Sequence, residues 1–298
     1  MKCLVTGGAG FIGGNLVDRL IGDGHDVVII DNLSTSKEEN INTSAIFHHE
    51  DISLMDDFSM FEDIDVVFHT AAKARVQPSI DNPVEFNRVN VEGTLNVLKA
   101  CVDYGVKRFV YSSSSSVYGN VEQLPTPEEH KLNPMSPYAL QKLIGEQYCK
   151  LFSDLYGLET VCLRYFNVYG ERQLLEGAYC LVMGIFAQQR LNGKAMTIRG
   201  DGEQRRDFTY VGDVVDANVR CSTSDKVGRG DVFNIGNGDN RSVNQLADMI
   251  GGYRINIDSV IEPKETLADN SKAKRVLGWK TTTKIEDWIQ GYKKDLGL

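Results

Sequence analysis

The segment Thr6-Gly7-Gly8-Ala9-Gly10-Phe11-Ile12-Gly13 carries the spacing G-x-G-x-x-G at Gly8, Gly10 and Gly13. An apolar run, 2–6, precedes it. An amphipathic stretch, 11–21, follows, with Phe11, Ile12, Leu16 and Leu20 at helical spacing. Strand, glycine turn and helix in that order form the setting in which this pattern binds a dinucleotide. Gly8 permits the tight turn, Gly10 lets a pyrophosphate approach the backbone, and Gly13 lets the helix pack against the strand. The helix start offers free N–H groups and a partial positive charge to the phosphates. A second strand, 26–31, ends in Asp31, at the expected spacing for a carboxylate on the adenosine ribose. An acid there repels a 2′-phosphate, so NAD is expected rather than NADP.

The alternation continues down the first half. Strands are predicted at 45–50, 66–70, 109–112 and 161–165, and long helices at 84–104 and 138–156. Strands alternating with helices imply right-handed βαβ units. The expected class is α/β, a doubly wound parallel Rossmann sheet with a smaller C-terminal substrate domain. Past Phe166 the pattern loosens and gains Gly, Arg and Asn. Residues 1–166 are therefore assigned to an NAD-binding domain and 167–298 mainly to a substrate domain. A strand-then-helix pattern at 207–221 predicts that the chain returns to the main sheet over 207–236. The 298 residues suffice for a full core without disulfides or metals.

Charge narrows the partners. Thirty-two basic against 41 acidic residues leave a net charge of −9. That field repels nucleic acid and anionic lipid. No apolar stretch reaches the roughly 20 residues of a membrane span, and none resembles a signal peptide. The six cysteines, at 3, 101, 149, 162, 180 and 221, show neither C-x-x-C nor zinc spacing. Reduced thiols in the cytoplasm, and no metal, are expected.

Tyr138-Ala-Leu-Gln-Lys142 puts a tyrosine and a lysine one helical turn apart, on one face. Ser114 lies just past the strand 109–112, at the sheet edge where active sites of parallel sheets gather. With these residues in view, the sequence resembles the extended short-chain dehydrogenase/reductase family, in particular its nucleotide-sugar epimerases of the UDP-glucose 4-epimerase type. The shared motifs are TGGAGFIG (6–13), DNLS (31–34), DI (51–52), HTAA (69–72), SSSSSVYG (112–119), SPYALQKL (136–143), LRYFNVYG (163–170) and GDGEQRRDF (200–208). They run in family order over nearly the whole chain.

The resemblance implies an NAD-dependent 4-epimerase of UDP-hexoses, working through a transient 4-keto sugar while its cofactor is retained. It implies that Tyr138 is the base and acid, that Ser114 holds the sugar hydroxyl and relays its proton, and that Lys142 supports both the phenolate and the nicotinamide ribose. A free tyrosine titrates near 10, so action at neutral pH asks for about 4 kcal/mol of phenolate stabilisation. Lys142 and the oxidised nicotinamide offer two positive charges for this. The implied cofactor contacts are Gly7, Gly10, Phe11, Ile12, Asp31, Asn32, Ser34, Asp51, Ile52, Ala71 and Ala72, with Tyr138 and Lys142.

On the substrate side the resemblance assigns Asn167 and Arg206 to the diphosphate; a salt bridge to Asp207 or Glu203 is the plainer use of Arg206. Arg199 stands where relatives often carry an aromatic beside uracil, and is either stacked there or solvated. Thr266 aligns with the wall beside the sugar C2 substituent, where a tyrosine would exclude N-acetyl groups. UDP-GlcNAc and UDP-GalNAc are therefore expected substrates beside UDP-Glc and UDP-Gal. Two departures matter. Ser115 and Ser116 replace the Asp-Glu pair of the dehydratases, which argues against dehydration. The stretch 263–269 is shorter than in relatives, with Lys264 and Glu265 as possible replacements. Lys73 and Arg75 leave open a UDP-uronate 4-epimerase, since they suit a sugar carboxylate. A non-catalytic NAD-binding regulatory protein is the remaining alternative. The helices 84–104 and 138–156 resemble a family dimer interface, so a homodimer is expected.

Overall fold

A computed structural model describes residues 1–174, 180–259 and 263–298. The chain opens with β1 (Lys2–Thr6), α1 (Phe11–Gly22), β2 (Asp26–Asp31), β3 (Ile46–His49) and β4 (Val66–His69). It continues through α2 (Val76–Asp81), α3 (Pro83–Asn87), α4 (Thr94–Asp103), β5 (Arg108–Ser114), α5 (Pro137–Tyr156) and β6 (Glu159–Tyr165). Then come β7 (Val168–Tyr169), α6 (Val182–Leu191), β8 (Met196–Arg199), β9 (Arg205–Asp207), β10 (Thr209–Tyr210), α7 (Val211–Thr223) and β11 (Arg229–Ile235). The last elements are β12 (Asn240–Ser242), α8 (Val243–Ile250), β13 (Arg254–Ile257), α9 (Ser271–Leu277) and α10 (Ile285–Leu296).

Among the described residues one seven-stranded sheet dominates, in the order β11-β6-β5-β4-β1-β2-β3. Every neighbouring pair in it is parallel. This is the doubly wound sheet the alternation predicts. Its strand order reverses between β1 and β4, and the crevice outside their carboxyl ends is where such sheets bind ligands. Both faces are covered. Leu16, Leu20, Val214 and Trp279 belong to one core, and Leu98, Phe109, Tyr111 and Phe152 to the other.

The predicted single helix at 84–104 is three pieces: α3, an i→i+5 turn at Arg88–Gly93, and α4. Thr94 Oγ1 donates to the Asn90 carbonyl at 2.7 Å, and the Asn90 side chain donates to the Lys73 carbonyl and to Gln141 Oε1, both at 2.9 Å. The extra residue in the turn thus lets Asn90 join the loop after β4 to α5. The chain returns to the main sheet within 207–236, but not through the strand expected at its start. Residues 205–210 form β9 and β10, which pair with β12 and β7. The return is made by α7, packed over the sheet, and by β11, which adds to β6.

Outside the main sheet, β7–β10 and β8–β13 are parallel pairs and β9–β12 is antiparallel. Met183, Phe186, Ile198, Leu246 and Ile289 fill a separate core there. The tail serves both lobes. Trp279 is fully buried in the sheet core and donates Nε1–H to the Asp213 carbonyl at 2.8 Å. Trp288 stacks on Tyr292, ring centroids 4.4 Å apart, and donates to Glu171 Oε1 at 2.8 Å. No helix among the described residues is long and apolar enough to cross a membrane. All six cysteines are buried free thiols.

Candidate active site

The glycine loop leaves β1 and enters α1 at Gly10, whose backbone is extended. Gly7 has φ +72°, and a Cβ on it would lie 2.7 Å from the Ala71 nitrogen. A Cβ on Gly13 would lie 2.1 Å from the Gly7 carbonyl oxygen. Side chains are therefore excluded from both places, which leaves the start of α1 bare. No acidic residue occupies its first turn. Asp31, at the end of β2, accepts from the Ala9 N–H at 3.0 Å, from the Leu33 N–H at 2.9 Å and from Ser36 Oγ at 2.8 Å. Asp51 accepts from Asn32 Nδ2 at 2.9 Å. A bare helix start, a close glycine turn and an anchored ribose-side acid fit a dinucleotide.

A cavity of about 1160 Å³ opens over this loop. Gly7, Gly10, Phe11, Ile12, Asp31, Asn32, Ser34, Asp51, Ile52, Ala71 and Ala72 line one end. Lys73, Arg75, Ser114, Tyr138, Asn167, Arg199, Arg206 and Thr266 line the rest. Of the residues singled out in the sequence, Gly8, Lys142, Lys264 and Glu265 are not part of its lining.

Lys142 stands behind the wall. Its Nζ donates to the Ser112 carbonyl at 2.8 Å and lies 4.9 Å from the centre of the Tyr111 ring. Burial pulls its ammonium down to about 8, with Cys149 and Glu146 acting the other way. Ser136 caps α5 by accepting from the Ala139 N–H at 3.2 Å, with Pro137 in the first turn, and this sets where Tyr138 begins the helix. Burial raises the Tyr138 phenol above its ordinary value, while a hydrogen bond with Ser114 and the charge of Arg75 act to lower it. The sequence suggests Lys142 as the nearby cation; in the structure the cation that acts on Tyr138 is Arg75, whose backbone has φ +98°. Behind them His69 is locked between Thr6 Oγ1 at 2.7 Å and Thr94 Oγ1 at 2.9 Å. Burial, then the Lys142 charge, pushes it down to about 3.

The far wall is assembled around Asp207. Its carboxylate accepts from the Asn237, Gly238 and Ala268 N–H groups at 2.7, 3.0 and 3.0 Å. Burial nonetheless raises it to about 7. Asp207 therefore turns inward, away from the Arg206 side chain. Arg206 Nη1 donates to the Arg205 carbonyl at 2.8 Å. Glu203, the other proposed partner, accepts from Asn244 Nδ2 at 2.6 Å. Asn167 Nδ2 donates to the Asp207 carbonyl at 2.9 Å and to Thr266 Oγ1 at 3.4 Å. Glu265 accepts from Asn240 at 2.7 Å, and the Lys264 carbonyl from the Arg205 N–H at 2.8 Å, so the short 263–269 stretch is stitched to β9. Lys73 is ion-paired with Glu85 at 2.7 Å. Arg172 is a cavity residue the sequence reading missed; it lies against Gly14 and pairs with Asp18 at 2.8 Å.

Comparison with known proteins agrees with this geometry. Residues 3–236 match the model of the NAD dependent epimerase/dehydratase family. The UDP-glucose 4-epimerase of Mycolicibacterium smegmatis is 38% identical over 97% of this chain and 96% of its own. The UDP-N-acetylglucosamine 4-epimerase of Methanobrevibacter ruminantium, solved with UDP-N-acetylmuramic acid, is 37% identical with a TM-score of 0.93, over 98% of this chain and 97% of that one. The UDP-glucuronic acid 4-epimerase of Bacillus cereus, solved with UDP-glucuronic acid and NAD, is 34% identical with a TM-score of 0.91, over 100% and 99%. With its glycine loop, its buried tyrosine and lysine and this matching sheet, the chain is an NAD-dependent enzyme of the epimerase/dehydratase family, among the nucleotide-sugar epimerases.

Proposed function

We propose that the chain interconverts UDP-hexoses at C4, taking UDP-GlcNAc and UDP-GalNAc as well as UDP-Glc and UDP-Gal. The observation that carries this is one cavity joining the dinucleotide loop, the Ser114–Tyr138 hydrogen bond and the wall of Asn167, Arg206 and Thr266. NAD held along Gly7, Gly10, Phe11 and Ile12, with Asp31 toward the ribose, supplies reversible hydride transfer. Tyr138 takes and returns the proton of the sugar 4-hydroxyl. Ser114 holds that hydroxyl and relays the proton. Lys142 stabilises the phenolate and orients the cofactor ribose. Asn167 and Arg206 grip the diphosphate, Arg199 lies toward uracil, and the sugar is left free to turn between its two faces. Thr266, hydrogen-bonded to Asn167, is small enough to leave room at C2.

The lobe built mainly from 167–298 carries the nucleotide-sugar in this reading, and 1–166 with 207–236 carries NAD. Six buried free thiols suit a reducing cytoplasm. Val84 of α3 and Leu140, Leu151 and Leu155 of α5 expose apolar surface, which supports a homodimer through those helices. A uronate reading draws on Arg75, buried beside Tyr138. Its companion Lys73 is already paired with Glu85, which favours the hexose reading.

The test is to incubate the purified protein with UDP-glucose, UDP-N-acetylglucosamine and UDP-glucuronic acid separately and follow epimers by NMR. Conversion of the first two, and not the third, is expected. Conversion of the uronate alone would overturn the hexose assignment.

A further inference from the structure

One turn beyond Lys142, α5 carries a charge that the reading above leaves unused. Glu146 and Arg164, on β6, are both almost fully buried. Arg164 donates Nε–H to Glu146 Oε1 at 2.9 Å and Nη2–H to Oε2 at 2.7 Å. A pair withdrawn from water gains little stability over apolar side chains of equal size, because desolvating both ions offsets their attraction. Stability is therefore a weak reason for it to be here.

Its other bonds lead to the active site. Ser113 Oγ, adjacent in sequence to Ser114 on β5, donates to Glu146 Oε1 at 2.5 Å. Glu146 also favours the ammonium of Lys142 against burial. The other groups facing that ammonium are His69 on β4, held neutral by burial, the Tyr111 ring on β5, and Cys149 on α5 itself. Glu146 is the carboxylate among them. On its far side Arg164 Nη1 donates to the Tyr118 hydroxyl at 2.8 Å and to the Glu128 carbonyl at 3.1 Å. Tyr118 in turn donates to Asn234 Oδ1 at 2.7 Å. Asn234 Nδ2 donates to the Thr126 carbonyl at 2.9 Å and the Asp269 carbonyl at 3.2 Å. Thr126 pairs with Ala268, two residues from Thr266.

We propose that Glu146 and Arg164 are positioning residues. They seat Ser113–Ser114 of β5 against α5, hold Lys142 as a cation during turnover, and tie that arrangement to the 266–269 wall. The inference rests on the roles given above to Ser114, Tyr138 and Lys142.

The test uses holoenzyme and whichever of UDP-galactose and UDP-N-acetylgalactosamine it converts. Glu146→Gln keeps the shape and removes the charge. Expected are a fall in kcat of about tenfold or more with KM and retained NAD within about threefold, and an alkaline limb of kcat displaced to lower pH. The direction follows from losing the anion that favours the ammonium. The double variant Glu146→Leu with Arg164→Leu removes both ions; it is expected to keep the melting temperature near wild type while kcat stays low and the limb stays displaced. It carries the same readouts if the single variant fails to fold. A limb at the wild-type pH with unreduced kcat, in either variant, overturns the inference and leaves a packing role. Tyr138→Phe separates the two levels. If it retains turnover, the underlying roles fail and the inference falls with them. If it is inactive while the Glu146 variants behave as wild type, only the inference falls.

Discussion

Two parts of one cavity wall are built differently. Ser114 and Tyr138 stand on β5 and α5, with Lys142 one turn behind, and the strand and helix are long elements. Asn167, Arg206 and Thr266 come from three separate short segments, stitched around the buried Asp207. Proton transfer needs side chains fixed within a fraction of an ångström, which a packed strand and helix provide. Recognition of a nucleotide-sugar needs charge and space in roughly the right place, which short ladders provide and which local sequence changes can alter. Proteins similar to this chain include 4-epimerases named for UDP-glucose, UDP-N-acetylglucosamine and UDP-glucuronic acid.

If the contrast holds, a change in the first part removes turnover and spares binding, and a change in the second does the reverse. Tyr138→Phe is expected to lower kcat by about 1,000-fold, within the range of general acid–base catalysis. Its NAD content and UDP affinity, measured by absorbance and calorimetry, should match wild type. Substantial residual turnover would break the comparison at its centre. Arg206→Ala should weaken UDP binding by about 30-fold, the ~2 kcal/mol of a lost charge-assisted pair, with kcat at saturation little changed. Unaltered UDP affinity would reduce Arg206 to a surface charge.

Thr266→Tyr sharpens the comparison within the second part. The added ring should lower kcat/KM for UDP-N-acetylgalactosamine about tenfold more than for UDP-galactose, because overlap costs more than the contact returns. Equal losses would place Thr266 away from the sugar. Arg199 is exposed at the end of β8, so Arg199→Ala should change UDP affinity by about threefold or less, in line with an exposed cation stacked on a ring. A larger loss would make Arg199 part of the tightly held wall.

Much of the fold and of the candidate site was legible because its signals are local. The glycine spacing of 8–13 and the single turn from Tyr138 to Lys142 are fixed by backbone geometry over a few residues. The turn at 88–93 was not legible, since apolar periodicity runs through it and the added residue shows only in the backbone's i→i+5 pattern. The strand expected from 207 read as part of the main sheet because ladders of two or three residues carry no sign of their partner. Arg75 acts on Tyr138 from 63 positions upstream, out of reach of any local pattern, and no residue type announces its φ of +98°. Glu146 and Arg164 are 18 residues apart and meet only because β5, α5 and β6 pack together.

The tail gives this chain an optical division of labour. Both of its tryptophans lie in the last 20 residues, yet Trp279 is sealed in the sheet core and Trp288 sits against Glu171 and Tyr292 in the other lobe. Their emission therefore comes from two different solvents, one apolar and dry and the other partly wet and beside a carboxylate. A denaturation curve followed at the blue and red edges of the emission band reads each core separately. Coincident curves mean that the lobes melt as one body, and separated curves name the lobe that opens first.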